Sequence, residues 1–126
     1  MKVLIIDDEI DLALLLKSYF QRKGFEVFLS HSLGDGIQAI KEQSPDVLFL
    51  DNNLPDGLGW TKAPVFADMY PEMRQFLISA YHPTIPNMPE HAQYTVLEKP
   101  ISFADLDIQF HTSTTSESEA SQVDAW

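Results

Sequence analysis

The 126-residue sequence contains no cysteine, which excludes disulfides, thiol nucleophiles and Cys-ligated metal centres together. Such a composition fits a reducing cytoplasm, the compartment expected for the chain. Basic residues are scarce: 8 Lys and Arg stand against 19 Asp and Glu, for a formal net charge of −11. A chain this acidic is not expected to grip nucleic acid by itself, because phosphate binding rests on Lys and Arg. No apolar run approaches the roughly 20 residues of a membrane-spanning helix, and the N-terminus lacks the order of a signal peptide. No membrane partner is therefore expected. Internal repeats are missing too. What remains is a chain of one-domain length, 44% hydrophobic, and long enough to bury its own core.

Two apolar runs end in acids. Val47-Leu48-Phe49-Leu50 leads straight into Asp51, bounded by Pro45 before it and the Pro55-Asp56-Gly57 turn after it. An unbroken run of this length between turn signals suits a strand buried on both faces. Pro55 and Gly57 then end it, Pro being favoured early in a type I turn and Gly at its close. Val3-Leu4-Ile5-Ile6 likewise runs into Asp7-Asp8-Glu9. If the two strands are parallel neighbours, Asp7, Asp8 and Asp51 converge at one sheet edge, where open α/β sheets bind ligands. Two carboxylates 4 Å apart repel by about 4 kcal/mol at an effective dielectric near 20. A divalent cation resolves that conflict, and a few protein oxygens completed by water and phosphate suit Mg²⁺.

The remaining chain alternates strand and helix. Ile10, Leu14, Leu15, Tyr19 and Phe20 recur at helical steps up to a stop at Gly24, and Phe25–Leu29 reads as a second strand. Ser32 with Asp35 resembles a capping box, opening a helix that presents Leu33, Ile37 and Ile40. Trp60 to Met69 reads as a third helix, with Pro64 tolerable only near its first turn. Arg74–Ser79 and Tyr94–Leu97 read as strands. Ser102 and Asp105 cap a last helix with Phe103, Leu106 and Phe110 inward. Where a further helix is due, Pro83, Pro86 and Pro89 forbid a regular one, so a loop is expected with at most a turn near Pro89 to Ala92. The pattern is α/β: a doubly wound, five-stranded parallel sheet. Residues 111–126, rich in Ser, Thr and acids, are expected to be a disordered tail or the start of a linker after a domain over 1–110. A native-looking Met1 start suits either an N-terminal domain or a complete short protein.

Asp7-Asp8 after the first strand, Asp51 after the third, Ser79-Ala80 after the fourth and Lys99-Pro100 after the fifth together resemble a response regulator receiver domain. Each motif alone is weak; their order and spacing match over residues 1 to 110. The resemblance implies the flavodoxin-like strand order 2-1-3-4-5, with the fourth helix degraded to the proline-rich loop. It also implies two-component signalling, in which a sensor histidine kinase or phosphotransfer protein passes a phosphoryl group to Asp51. On this reading Asp8 binds Mg²⁺ directly, Asp7 supports it, and the Asn53 backbone carbonyl supplies a further oxygen. Lys99 pairs with the phosphoryl oxygens and the Ser79 hydroxyl moves to meet them. The readout is a downstream protein or a covalently linked output domain, and the domain catalyses only its own phosphorylation and dephosphorylation.

Blander readings exist for each part. Acids at a helix N-terminus are favoured by the helix dipole, which accounts for Glu9 and Asp11 but not for Asp51 on a separate strand. Lys99-Pro100 alone reads as a strand-end turn and Ser79 alone as a strand hydroxyl. His31, His82, His91 and His111 show no ligand spacing and are expected at the surface, while Trp60 is expected in the core or at an interface. The chain also departs from the family. Val96 stands where many receivers carry a switching aromatic, and Ile101 where an aromatic usually follows Lys-Pro. These departures leave open an alternative, a phosphorylation-independent interaction module. A Mg²⁺-dependent phosphohydrolase is a third reading, but Asn53 stands where such enzymes need a second Asp as general acid.

Overall fold

The computed structural model describes residues 1–110. The chain runs β1 (Lys2–Ile6), α1 (Ile10–Arg22), β2 (Glu26–Ser30), α2 (Leu33–Gln43) and β3 (Val47–Asp51). A short ribbon follows, β4 (Asn53–Leu54) with β5 (Gly57–Leu58), then a 3₁₀ turn (Gly59–Lys62) and α3 (Ala63–Met69). β6 (Arg74–Ser79), β7 (Tyr94–Glu98) and α4 (Phe103–Phe110) complete it. One parallel sheet has the order β2-β1-β3-β6-β7, which is the expected 2-1-3-4-5 once the ribbon is set aside. The fold is doubly wound and flavodoxin-like.

Strand side chains alternate between faces, so each central strand feeds two cores. Val3, Ile5, Phe49, Phe76 and Ile78 pack against Ala13, Leu16 and Phe20 of α1 and Leu106 of α4. On the other face Leu4, Ile6, Leu48, Leu50 and Leu77 meet Ile40 of α2 and Trp60 and Phe66 around α3. Every residue of β3 is buried, as its unbroken apolar run implies. A Cβ on Gly36 would fall 2.3 Å from Ile6 Cδ1, so α2 can lie this close to β1 only with glycine there.

Helix ends follow the cap signals with one change of partner. Ser102 and Asp105 form the reciprocal box: the Ser102 N–H donates to Asp105 Oδ2 (3.0 Å) and the Asp105 N–H to Ser102 Oγ (3.1 Å). At α2, Ser32 Oγ accepts from the Asp35 N–H at 3.2 Å, but the acid at this end is Asp56. Its carboxylate accepts from the N–H groups of Leu33 (2.7 Å) and Gly34 (2.8 Å), which ties the turn after β3 to the start of α2.

Three expectations are corrected. Ile10, Leu14 and Leu15 are exposed; the buried face of α1 is Ala13, Leu16, Tyr19 and Phe20, with Leu12 partly covered. Residues 12–16 are all apolar, so spacing alone could not choose the face. Phe103 is exposed rather than inward, its ring 5.3 Å from that of Tyr19. The third helix starts at Ala63, not Trp60: Pro64, lacking an N–H, sits in its first turn, and residues 59–62 wind as 3₁₀.

Between β6 and β7 no helix forms, and the Ala92 N–H to Pro89 carbonyl bond (3.0 Å) closes the one expected turn. The loop lies partly over α3, with Met88 against that core and His91 Nε2 3.1 Å from the Ala67 carbonyl. Tyr94, Val96 and Glu98 of β7 are exposed on this side. His31, His82 and His91 are exposed and Trp60 is buried, as expected. Among the described residues no helix is long and apolar enough to cross a membrane. The tail at 111–126, with His111, lies outside the described residues.

Candidate functional site

The pairing registers bring the acids together. Ile6 lies beside Leu50, Asp51 beside Ile78, and Ser79 beside Glu98, so the C-terminal ends of β1, β3, β6 and β7 line up along one edge. There Asp7, Asp8 and Asp51 each offer a carboxylate oxygen, all within 4.8 Å of one another. Asp7 and Asp51 are buried and Asp8 is exposed. Lys99, directly after β7, reaches them: Nζ lies 3.1 Å from Asp7 Oδ2 and 3.4 Å from Asp51 Oδ1.

A cleft of about 290 Å³ opens over these groups, lined by Asp8, Glu9, Asp51, Asn53, Ala80, Tyr81 and Lys99. The Asn53 backbone N–H lies on the side of the Asp51 carboxylate and favours its charged form. Ser79 is buried next to the cleft rather than among its lining residues, and its Oγ accepts the Tyr81 N–H at 3.2 Å. The ribbon and Trp60 fix the floor. The Trp60 N–H donates to Asn52 Oδ1 (3.1 Å) and its indole Nε1 to the Leu50 carbonyl (3.0 Å), bracketing Asp51. Gly59 is forced here, because a Cβ would lie 2.2 Å from the Asp51 carbonyl oxygen.

Burial, followed by the charge of Asp7, pushes the Asp51 carboxyl up from 3.8 to about 6, although Lys99 and the Asn53 N–H oppose the shift. Burial likewise raises Asp7 against the pull of the Glu9 N–H and Lys99. For Lys99 burial works against the charge, but Glu9, Asp7 and Asp51 outweigh it and hold the ammonium above the ordinary lysine value. The site is thus a knot of acids with one cation, short of positive charge. Asp7 Oδ1 accepts the Glu9 N–H at 2.8 Å, whereas buried Asp7 Oδ2 takes no hydrogen bond and has only the ionic contact with Lys99. A buried oxygen left over in an all-oxygen set fits a hard divalent cation such as Mg²⁺.

Sequence reasoning named the three acids, Asn53, Ser79 and Lys99, and all six lie at this edge. It missed the part played by Glu9. Read as mere decoration of a helix start, Glu9 in fact accepts from Lys99 Nζ through Oε1, a partner 90 residues away that no local spacing signals. Ala80 and Tyr81 were missed as cleft walls as well.

A family model described as the response regulator receiver domain matches residues 3–110. Solved structures are similar over most of the chain. A receiver domain protein from Clostridium thermocellum is 28% identical at a TM-score of 0.72, the match covering 85% of this chain and 88% of that one. A CheY-like receiver domain protein from Methanospirillum hungatei JF-1 is 22% identical at 0.72, covering 86% and 88%. NtrX from Brucella abortus, solved in complex with ADP, is 23% identical at 0.69; 86% of this chain matches 24% of that longer one.

Proposed function

The chain belongs to the response regulator receiver domain family, and from that premise we propose that it is the phosphoacceptor switch of a two-component system, with Asp51 as acceptor. The observation that carries this reading is the convergence of Asp51 with Asp7, Asp8 and the Lys99 ammonium at one cleft. A sensor histidine kinase or a phosphotransfer protein is the donor. An Asp51 carboxylate oxygen attacks the phosphorus of the donor's phosphohistidine. The P–N bond breaks as the O–P bond forms, and the imidazole leaves with the electron pair and takes up a proton from solvent. The product is an aspartyl phosphate.

Asp7, Asp8, Asp51 and the Asn53 carbonyl would hold Mg²⁺, which when bound neutralises charge on the transferring phosphoryl oxygens. Lys99 supplies a second cation to the same oxygens. The Ser79 hydroxyl accepts from Tyr81 through its oxygen, which leaves its own proton to donate to a phosphoryl oxygen once that group arrives. Buried Asp51, set on a strand with every residue covered, is oriented without help from the ligand. The protein acts on itself rather than on external substrates, for Asn53 supplies no general acid. Residues 111–126 serve as a tail or linker, and the output is a downstream protein or a linked domain in the cytoplasm.

Intact mass after incubation with Mg²⁺ and acetyl phosphate tests the proposal. A Mg²⁺-dependent phosphoryl adduct is expected on the wild type and not on Asp51→Asn. The exposed Val96 and the missing helix between β6 and β7 favour a second reading, an interaction module that needs no phosphorylation. No adduct, with Mg²⁺ binding shown separately, would establish that reading instead.

A further inference from the structure

Lys99 is already engaged before any phosphoryl group arrives. An ammonium has three N–H donors, and three carboxylates surround this one: Asp7 and Asp51 inside the site and Glu9 at its rim. The first two belong to the acid cluster. Glu9 does not. Its side chain is 60% exposed, it is absent from the group of oxygens that can share a cation, and as the residue before α1 it makes no side-chain cap. Among the described residues, Lys99 alone holds its side chain.

Its position is also a boundary. Glu9, Ala80 and Lys99 line the acid cleft, and the same three residues line a second groove of about 440 Å³. That groove runs between Leu12 and Leu15 of α1 and the Pro100-Ile101 segment after β7. The Glu9–Lys99 pair is therefore the wall between a polar cleft and a largely apolar one.

We propose that Glu9 is a positioning residue that holds Lys99 in the unphosphorylated state and is displaced from it by the phosphoryl group. This rests on the phosphoacceptor reading of Asp51. An aspartyl phosphate brings new anionic oxygens close to the Asp51 carboxylate, which itself lies 3.4 Å from Nζ. These oxygens compete for the donor that Glu9 occupies, and like charge drives the exposed Glu9 carboxylate outward. No bond is made or broken in the exchange; one ion pair replaces another. The released carboxylate changes the wall of the apolar groove, so the charge at Asp51 is reported on the α1 side of the sheet. The route needs neither an aromatic at position 96 nor a helix between β6 and β7, the two parts this chain lacks.

The test uses the full-length chain at saturating Mg²⁺, with beryllofluoride as the phosphoryl mimic, and follows the Glu9 side-chain carboxyl resonance and the binding affinity. In the wild type the Glu9 resonance is expected to shift on binding. Glu9→Gln keeps the shape and removes the charge, and should tighten beryllofluoride binding about two- to five-fold, the scale of an exposed ion pair. Asp11→Asn removes a neighbouring charge that lines the same groove without touching Lys99, and should leave the affinity unchanged. Equal tightening in both variants would reduce the effect to net charge and overturn the proposal. So would a Glu9 resonance that does not move. Failure of the wild type to bind beryllofluoride would remove the phosphoacceptor reading together with this one, whereas binding that ignores Glu9→Gln removes this one alone.

Discussion

Asp51→Asn should make the metal-free protein more stable. The wild-type carboxyl is raised from 3.8 to about 6 by burial and by Asp7, so ionising it costs more in the folded chain than in the unfolded one. The difference is about two pH units, and at 1.36 kcal/mol per unit the folded state gives up at most about 3 kcal/mol at neutral pH. Asparagine has nearly the same shape, can accept the Asn53 N–H, and carries no charge. The sign follows from the direction of the shift. The wild-type penalty is complete above the folded value near 6 and shrinks as pH falls. It vanishes below the unfolded value near 4, where both states are protonated. Chemical denaturation in EDTA should therefore show a gap favouring Asp51→Asn at pH 8 that closes towards pH 4. A Tm rise on the order of 10 °C corresponds to the full effect. Saturating Mg²⁺ should narrow the gap at pH 8, because binding to the folded wild type stabilises it and the variant has lost one ligand. Asp51→Asn no more stable than wild type in EDTA at pH 8 would refute the reasoning.

Other positions give sharper geometric tests. Gly59→Ala sets a methyl 2.2 Å from the Asp51 carbonyl oxygen, so it should cost about 1–3 kcal/mol by urea denaturation. Gly34→Ala, whose nearest neighbour would be Asp56 Oδ2 at 3.4 Å in the first turn of α2, should instead raise the urea midpoint. The Asp56 carboxyl is held below 3.8 by the Gly34 and Leu33 N–H groups. Its contribution is present above the unfolded value and lost as pH falls through the lower folded one, so below pH 4 wild-type stability should drop more steeply than that of Asp56→Asn in acid titrations followed by circular dichroism. Trp60→Phe removes the indole bond to the Leu50 carbonyl and should cost about 1 kcal/mol or more in the same urea assay.

The parts legible in the sequence were those written in consecutive residues. Val47–Leu50, bounded by turn signals, suited a strand buried on both faces, and its successor Asp51 then fell at the sheet edge. Pro83, Pro86 and Pro89 removed a helix on grounds of backbone chemistry alone. The Ser102–Asp105 box was readable because both partners lie within one turn. What stayed hidden depends on residues far apart in the chain. Asp56 caps a helix that starts 23 residues earlier, and Glu9 meets a lysine just after the last strand. The face of α1 was ambiguous because the apolar run from Leu12 to Leu16 leaves no polar residue to mark the outside. Only packing against the sheet, which buries Ala13, Leu16, Tyr19 and Phe20, settles it.

The missing helix has a mechanical consequence for the site. β3 carries Asp51 and is buried at all five positions; β7, which Lys99 directly follows, is fully buried at none. Local stability follows buried apolar contact, so opening or shifting β7 costs less than shifting β3. Asp51 is fixed to the most tightly packed strand of the five-stranded sheet, and Lys99 directly follows the least packed of the five. Tyr94 and Val96, bare on the side where a helix would lie, offer nothing to hold β7 against a new charge. Movement of Lys99 is instead opposed on the α1 side, by Glu9 and by Ile101 and Leu106 packed into the core beside it. A change in charge at Asp51 is thus delivered from an element that resists displacement to one that yields, and the resistance it meets lies on the face where Glu9 stands.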